Sequence, residues 1–313
     1  MRGVILTVTP NLALDITYEV ARLIPGATHR VQRVRQRAGG KGVNVARVLR
    51  ALGATPVIAG LAGGPTGAAI RAELAEAGFA EALTPITGES RRTVTIVSEL
   101  DSEPTMYTEP GPAVSAAEWA HLRERFTETT ARADVVVLSG SLPPGVPDDG
   151  YAQLIRIARD LGARTILDTS GPALLAGIAA GPDVIKPNAA ELRAATGIDD
   201  ETGAAQTLAR NGTAVVASLG PGGLLAVTHE GSWRARPPRA LSGNPTGAGD
   251  ACVAALALGL ANRVSWSNTL VKAVAASAAA VVCPVAGDID QDTYAHLLAD
   301  VVLEELDAAH PNR

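Results

Sequence analysis

Short apolar, β-rich runs alternate along this chain with stretches whose apolar residues recur at helical spacing, and few architectures accommodate that rhythm. The runs Val4–Thr9, Pro56–Ala62, Asp134–Ser139, Arg164–Asp168, Asp183–Lys186 and Thr213–Leu219 read as strands. Between them, Gly42–Leu52, Gly67–Ala77, Ala116–Arg132, Asp149–Leu161 and Ala204–Arg210 read as helices, and three more follow at 246–261, 265–282 and 290–308. Alternation of this kind predicts an α/β fold with a mostly parallel sheet covered on both faces. The 47% of hydrophobic residues suffice for one large core, so residues 1–313 are expected to form one α/β domain. Two segments, 12–37 and 88–109, depart from the rhythm: they are polar and alternate apolar with polar, as in His29–Val34 and Thr93–Val97. Each is too short for a core of its own, so the pair is expected to form a small β lid inserted at one edge of the main sheet.

Ligands of open parallel sheets sit beyond the carboxyl ends of the strands. The loops rich in Gly, Pro and Ser fall at those ends: Asn11–Asp15, Gly63–Gly67, Ser139–Gly145, Asp168–Gly171, Lys186–Asn188 and Ser218–Gly223. One cleft is expected to collect them. A net charge of −5 gives no reason to expect nucleic acid or an anionic membrane as partner. The two cysteines, Cys252 and Cys283, lie in apolar runs and are too few for a metal cluster or disulfide framework. With no basic segment and apolar core of a secretion signal at the N-terminus, the expected location is cytoplasmic.

Two stretches carry chemistry. In Pro245-Thr246-Gly247-Ala248-Gly249-Asp250-Ala251-Cys252, small residues open a buried helix whose first N–H groups have no intrahelical partner, which makes an anion site. A carboxylate beside such a site repels the ligand unless it removes a proton from something the anion reacts with, so Asp250 reads as a general base. The competing reading is an Asp favoured in the first turn by the helix dipole. In Ala38-Gly39-Gly40-Lys41-Gly42-Val43-Asn44, a lysine sits in a glycine turn that starts a helix, either as a phosphate cradle or as a solvated helix entry. It is not a Walker A loop, since Gly42 stands where Ser or Thr is required, and no dinucleotide fingerprint fits.

Gly39–Ala46 and Pro245–Ala251 together resemble the paired motifs of the ribokinase-like PfkB carbohydrate kinases, a resemblance extending from Thr9-Pro10-Asn11 to about Gly287. Within that family the chain is most similar to the 1-phosphofructokinase, tagatose-6-phosphate kinase and minor 6-phosphofructokinase branch, through Thr9-Pro10-Asn11 with Asp15, Ser139–Gly145, Lys186-Pro187-Asn188 with Glu191, and Ser218–Gly223. The resemblance implies a ribokinase-like fold, ATP and Mg²⁺. It makes Asp250 the base, with the Gly247, Ala248 and Gly249 amides stabilising the transferring phosphoryl group. Asp15, Gly39, Gly40 and Asn44 would hold the sugar, and Lys41 and Arg91, with Arg30 as a third, its existing phosphate. Lys186, Asn188, Ser218, Gly220, Gly223 and Gly249 would hold the nucleotide, with the Cys283–Gly287 loop beside adenine. Asn188 and Glu191, one turn apart, would hold Mg²⁺ through water, although that spacing is also that of a helix cap.

The branch's T-R-x-N segment is altered here, with Ser90 for Thr and Thr93 for Asn, and His29 replaces Asn before Arg30. Asn244 stands where many relatives have Asp, which weakens a monovalent-cation site. The expected activity is therefore phosphorylation of a phosphorylated ketohexose, fructose 1-phosphate first, then tagatose 6-phosphate or fructose 6-phosphate, then an unphosphorylated sugar or nucleoside. The rival from another class is a sugar or nucleotide sensor without turnover, which would have no use for Asp250. The lid is a candidate homodimer interface.

Overall fold

In the computed structural model, which describes residues 3–98, 100, 104–209 and 211–306, the strands form two sheets. In chain order they are β1 (Ile5–Thr9), β2 (Ala13–Val20), β3 (Arg33–Gly39), β4 (Val57–Gly63), β5 (Ala80–Ile86), β6 (Arg91–Ser98), β7 (Thr105–Thr108), β8 (Val135–Ser139), β9 (Arg164–Asp168), β10 (Val184–Ile185), β11 (Ala214–Ser218), β12 (Leu224–Val227), β13 (Ser232–Arg236) and β14 (Val302–Leu306). The helices are α1 (Lys41–Ala51), α2 (Gly64–Glu76), α3 (Ala116–Thr130), α4 (Gly150–Asp160), α5 (Gly171–Ala179), α6 (Ala189–Thr196), α7 (Glu201–Ala209), α8 (Ala248–Ala261), α9 (Trp266–Val281) and α10 (Gln291–Asp300). The large sheet runs β14-β13-β12-β11-β10-β9-β8-β1-β4-β5. From β11 to β5 every neighbouring pair is parallel, while β12, β13 and β14 add on antiparallel.

Both faces of the parallel strands are apolar because both are covered. Along β8, Val136 and Leu138 pack beneath α3, α4 and α5, and Val135 and Val137 pack beneath α1, α8 and α9, all fully buried. Burial of each such side chain contributes about 1.5–3 kcal/mol. α8 packs tightly on α9: a Cβ on Gly259 would come within 2.4 Å of the Thr269 side chain, so glycine is what lets the two helices touch. A third cluster joins the root of β2 (Leu12, Leu14, Ile16) to α1 and α2, fixing the small sheet to the domain.

That small sheet, ordered β3-β2-β6-β7, is built from the two segments expected to form the lid. β2 pairs antiparallel with β3 and β6 with β7, but β2 and β6 are parallel, so the lid is not antiparallel throughout. His29–Gln32 lie outside its strands, and β3 starts at Arg33. Within the segment 88–109, residues 99 and 101–103 lie outside the described residues, as does Arg210 at the end of the helix expected from Ala204.

The expected helix 290–308 is corrected. α10 stops at Asp300, and Val302–Leu306 form β14 against β13, with Ser232 opposite Leu306 and Arg236 opposite Val302; residues 307 and 308 lie outside the described residues. The reason is tertiary: β13 would otherwise offer an open row of backbone donors and acceptors, and the β-branched pair Val301-Val302 suits an extended chain. β5, β13 and β14 went unread in the sequence because their patterns are only half apolar, and β12 because its apolar run is only four residues long.

Candidate active site

The order of the strands lays the punctuated loops side by side. Moving across the carboxyl edge from β11 through β10, β9 and β8 to β1, one meets the Ser218–Gly223 turn, Lys186–Asn188, Asp168, Gly140-Ser141 and Asn11. α8 packs on β8 and β9, so its first turn stands over the middle of this row.

Asp168, at the end of β9, is the electrostatic centre. Only 1% exposed, it accepts from Lys41 Nζ at 3.2 Å and from Lys186 Nζ at 3.3 Å. Burial pushes the Lys186 ammonium down, but Asp168, with Cys252, Glu191 and Asp250, outweighs this and holds it above its ordinary value. Lys186 also stands beside the α8 turn, where a Cβ on Gly249 would lie 3.4 Å from Nζ.

Asp250, in the first turn of α8 and 6% exposed, takes one hydrogen bond, from Asn44 Nδ2 to its Oδ2 at 2.8 Å. Burial, helped by the Asp168 charge, raises its carboxyl from 3.8 to about 7, against the opposing pull of Asn44, Lys41 and Lys186. It is a carboxylate poised to exchange a proton near neutrality. Capping the helix does not occupy it, since the N-cap is Gly247, at φ 90, with no side-chain cap bond. A Cβ there would also collide with Ala286 Cα at 2.9 Å, so the Cys283–Gly287 loop closes directly over the turn.

The α1 turn is built in the same way. Gly40, at φ 104, is the N-cap, and Thr9 Oγ1 accepts from Gly42 N at 2.8 Å, tying the turn to β1. Lys41 and Arg91 face one cavity of about 240 Å³, lined also by Thr9, Asn11, Gly40 and Ser141. Asp15 lies next to it with its carboxylate over Gly39, where a Cβ would come within 2.0 Å of Oδ2. Burial raises Asp15 to about 6, opposed by Arg91, a Thr93 hydrogen bond, Arg37 and Arg47. Arg91 is held by Nε donating to Asn11 O at 3.1 Å and Nη1 reaching Thr93 Oγ1 at 3.4 Å.

On the other side, Asn188 caps α6 in a reciprocal box: Glu191 N donates to Asn188 Oδ1 at 2.8 Å, and Asn188 N donates to Glu191 Oε2 at 2.9 Å. Ser218 is bridged to Asn188, and Gly220–Gly222 form a 3₁₀ turn, ending at Gly223 with φ 82. Among the described residues no group of three or more His, Cys, Asp or Glu is placed to ligate a metal directly. Glu191 Oε1 lies outside the cap, so the residues fit a hydrated ion touched from outside rather than an all-protein cage.

Asp250, Asn44, Lys41 and Lys186 converge, and Arg91 and Asp15 join them from the lid. Arg30 does not: it is exposed in the β2–β3 connection and outside the cavity. Of the lid departures, Ser90 is structural, its Oγ accepting from Gly63 N at 3.0 Å, whereas Thr93 sits between Asp15 and Arg91. Sequence reasoning passed over Asp168 as a site residue and gave Ser141 no role; their positions at strand ends were the available signal. Asn244 serves a turn, donating to Pro284 O and accepting from Thr246 N.

Residues 9–292 match the pattern of the pfkB family carbohydrate kinases. The 1-phosphofructokinase of Rhodobacter capsulatus is 40% identical over 259 residues, 80% of this chain and 82% of that one. The tagatose-6-phosphate kinase of Staphylococcus epidermidis is 30% identical over 311 residues, 96% of this chain and all of that one. Phosphofructokinase-2 from Escherichia coli, solved in complex with fructose-6-phosphate, superposes with a TM-score of 0.87 at 34% identity, covering 94% of this chain and 99% of that one, and has also been solved in a tetrameric inhibited form.

Proposed function

The chain belongs to the pfkB carbohydrate kinase family, and on that footing we propose that it transfers the γ-phosphoryl group of ATP to a phosphorylated ketohexose, fructose 1-phosphate before tagatose 6-phosphate or fructose 6-phosphate. The products are ADP and, from fructose 1-phosphate, fructose 1,6-bisphosphate. The observation that carries this reading is a small cavity lined by two cations, Lys41 and Arg91, with Lys41 also close enough to act on Asp250, a buried carboxyl poised near pH 7.

In this mechanism the sugar lies between Asp15, Gly39, Gly40 and Asn44, with its ester phosphate on Arg91 and Lys41. Asp250 takes the proton of the attacking hydroxyl as the oxygen bonds to the γ-phosphorus and the bond to the ADP oxygen breaks. Asn44 orients the carboxylate through its 2.8 Å bond. The amides of Gly247 and Gly249, with Lys186 and Lys41 nearby, face the negative charge that spreads over the transferring group, whereas the Ala248 amide donates to Pro245 O at 3.2 Å. Asp168 holds both lysines and keeps Asp250 basic. Ser218, Gly220 and Gly223 hold the nucleotide beside Asn188. Glu191 and Asn188 would hold Mg²⁺ through water, and the ion would supply neutralisation of the nucleotide's phosphate charge.

Arg30 is a third cation for the phosphate only if the lid or a second copy brings it inward. The lid exposes Val34 and Tyr107 on one face and Val97 and Met106 on the other, apolar side chains that a homodimer would cover. Among the described residues no helix is long and apolar enough to cross a membrane, and unpaired Cys252 and Cys283 suit the reducing cytoplasm where ATP is made.

An ADP-release assay over fructose 1-phosphate, fructose 6-phosphate, tagatose 6-phosphate, fructose, tagatose and a nucleoside tests the reading. Turnover of fructose 1-phosphate with the highest kcat/KM is expected, and Arg91→Ala should raise its KM about 10- to 100-fold. Equal use of free fructose, with Arg91→Ala silent, would overturn the substrate class.

A further inference from the structure

Asn11 has no part in the mechanism above, yet it stands where the lid meets the core. It follows β1 and is 4% exposed. Its Nδ2 donates twice: to Pro110 O at 3.0 Å, in the segment that returns from β7, and to Ser141 Oγ at 3.1 Å, in the loop after β8. Its backbone carbonyl accepts from Arg91 Nε at 3.1 Å. One residue thus binds the lid's exit, a core loop and the guanidinium assigned to the substrate phosphate.

Two details separate this from an ordinary structural asparagine. Asn11 Oδ1 is buried and has no hydrogen-bond partner, which a residue kept only for stability would avoid. It is lodged against Gly111, at φ 97, where a Cβ would come within 2.2 Å of Oδ1. The orientation that leaves Oδ1 unpaired is the one that aims both N–H donors at Pro110 and Ser141. A serine hydroxyl has one hydrogen to give. Because Ser141 Oγ already accepts from Asn11, that hydrogen is left for an oxygen in the cavity that Ser141 lines together with Lys41 and Arg91.

We propose that Asn11 is a positioning residue for the substrate's ester phosphate, fixing Arg91 through its backbone carbonyl and making Ser141 a hydrogen-bond donor, so that guanidinium and hydroxyl meet the same anion. The proposal rests on the reading of Arg91 as a phosphate ligand. Gly111 belongs to the device, since only a residue without a side chain leaves Asn11 in place.

The test uses steady-state kinetics with fructose 1-phosphate and ATP, alongside thermal unfolding. Asn11→Ala should raise KM for fructose 1-phosphate about tenfold or more, leaving KM for ATP within about twofold and kcat nearly unchanged. Gly111→Ala leaves the Asn11 side chain intact but pushes it aside, so it should raise the same KM. The double variant should then show less than the sum of the two effects, because the new methyl has nothing left to displace. If Asn11→Ala folds poorly, Gly111→Ala reads the same KM with the Asn11 side chain still present, so the test stays decisive. A fall in Tm with KM for fructose 1-phosphate within about twofold of wild type would reduce Asn11 to a lid tie and overturn the proposal. Arg91→Ala in the same assay separates the two claims. If it raises KM while Asn11→Ala and Gly111→Ala do not, the proposal alone fails; if it is silent, the phosphate reading fails and takes the proposal with it.

Discussion

The starts of α8 and α6 each place a carboxylate in the first turn of a helix, and the two have opposite fates. In α6 the N-cap is Asn188, and Glu191 closes a capping box with it at 2.8 and 2.9 Å on the exposed side of the cleft. In α8 the N-cap is Gly247, which has no side chain to offer, and Asp250 is left buried with a single donor, Asn44. Both sit at the positive end of a helix dipole, so the dipole cannot distinguish them. The cap residue does. An Asn cap ties down one oxygen of the carboxylate three positions on, while a Gly cap has no side chain to engage the carboxylate and leaves it open to a proton.

Asp250→Asn gives the largest expected effect, a loss of about 10²–10⁴-fold in kcat with ATP binding retained, measured by ADP release and by ATP titration of the variant. Asn188→Ala should leave kcat within about threefold at saturating ATP and Mg²⁺, because Asn188 takes no proton and would meet the ion only through water. A comparable loss in both variants would erase the distinction between the two helix starts.

Stability sharpens the same contrast. Asp250 has a folded value of about 7 against 3.8, so between about pH 4 and 7 the folded chain keeps a proton that the unfolded chain has released. Stability therefore falls as pH rises through that window, by on the order of 4 kcal/mol, and levels off above it. Urea midpoints at pH 4.5 and 8 should differ less in Asp250→Asn than in wild type, with Asp15, raised to about 6, leaving a smaller residual slope. Asn188→Ala should cost about 1 kcal/mol at both pH values. Smallest of all, Glu191→Gln should raise the Mg²⁺ concentration for half-maximal rate by about two- to fivefold, since one outer charge is lost; an unchanged titration would leave Glu191 a cap and nothing more.

What could be read from the residues follows the range of the forces involved. The Gly39–Lys41 and Gly247–Asp250 turns are local, so spacing and residue type were enough to find them, and the Asn188–Glu191 spacing announced a capping box as well as a metal role. The alternation of apolar runs fixed the parallel sheet because burial on both faces leaves that mark. Contacts distant in sequence left no such trace. Asp168 joins Lys41, 127 positions away, and Asn44 reaches Asp250 across 206. Neither pairing has a local pattern. β14 was hidden for a related reason: whether Val302–Leu306 continues α10 or turns to pair depends on the free edge of β13, which only the folded sheet supplies.

The pH dependence of kcat for fructose 1-phosphate at saturating ATP and Mg²⁺ tests most directly the claim that burial makes Asp250 the base. The rate should fall below an apparent pKa near 7, where the carboxyl takes up its proton, and the residual rate of Asp250→Asn, measured over the same range, should lack that limb. Asp15 and the substrate's own phosphate, whose second pKa is about 6, would leave their steps in both enzymes. A limb that persists in Asp250→Asn, or a wild-type rate flat from pH 6 to 8, would contradict the account.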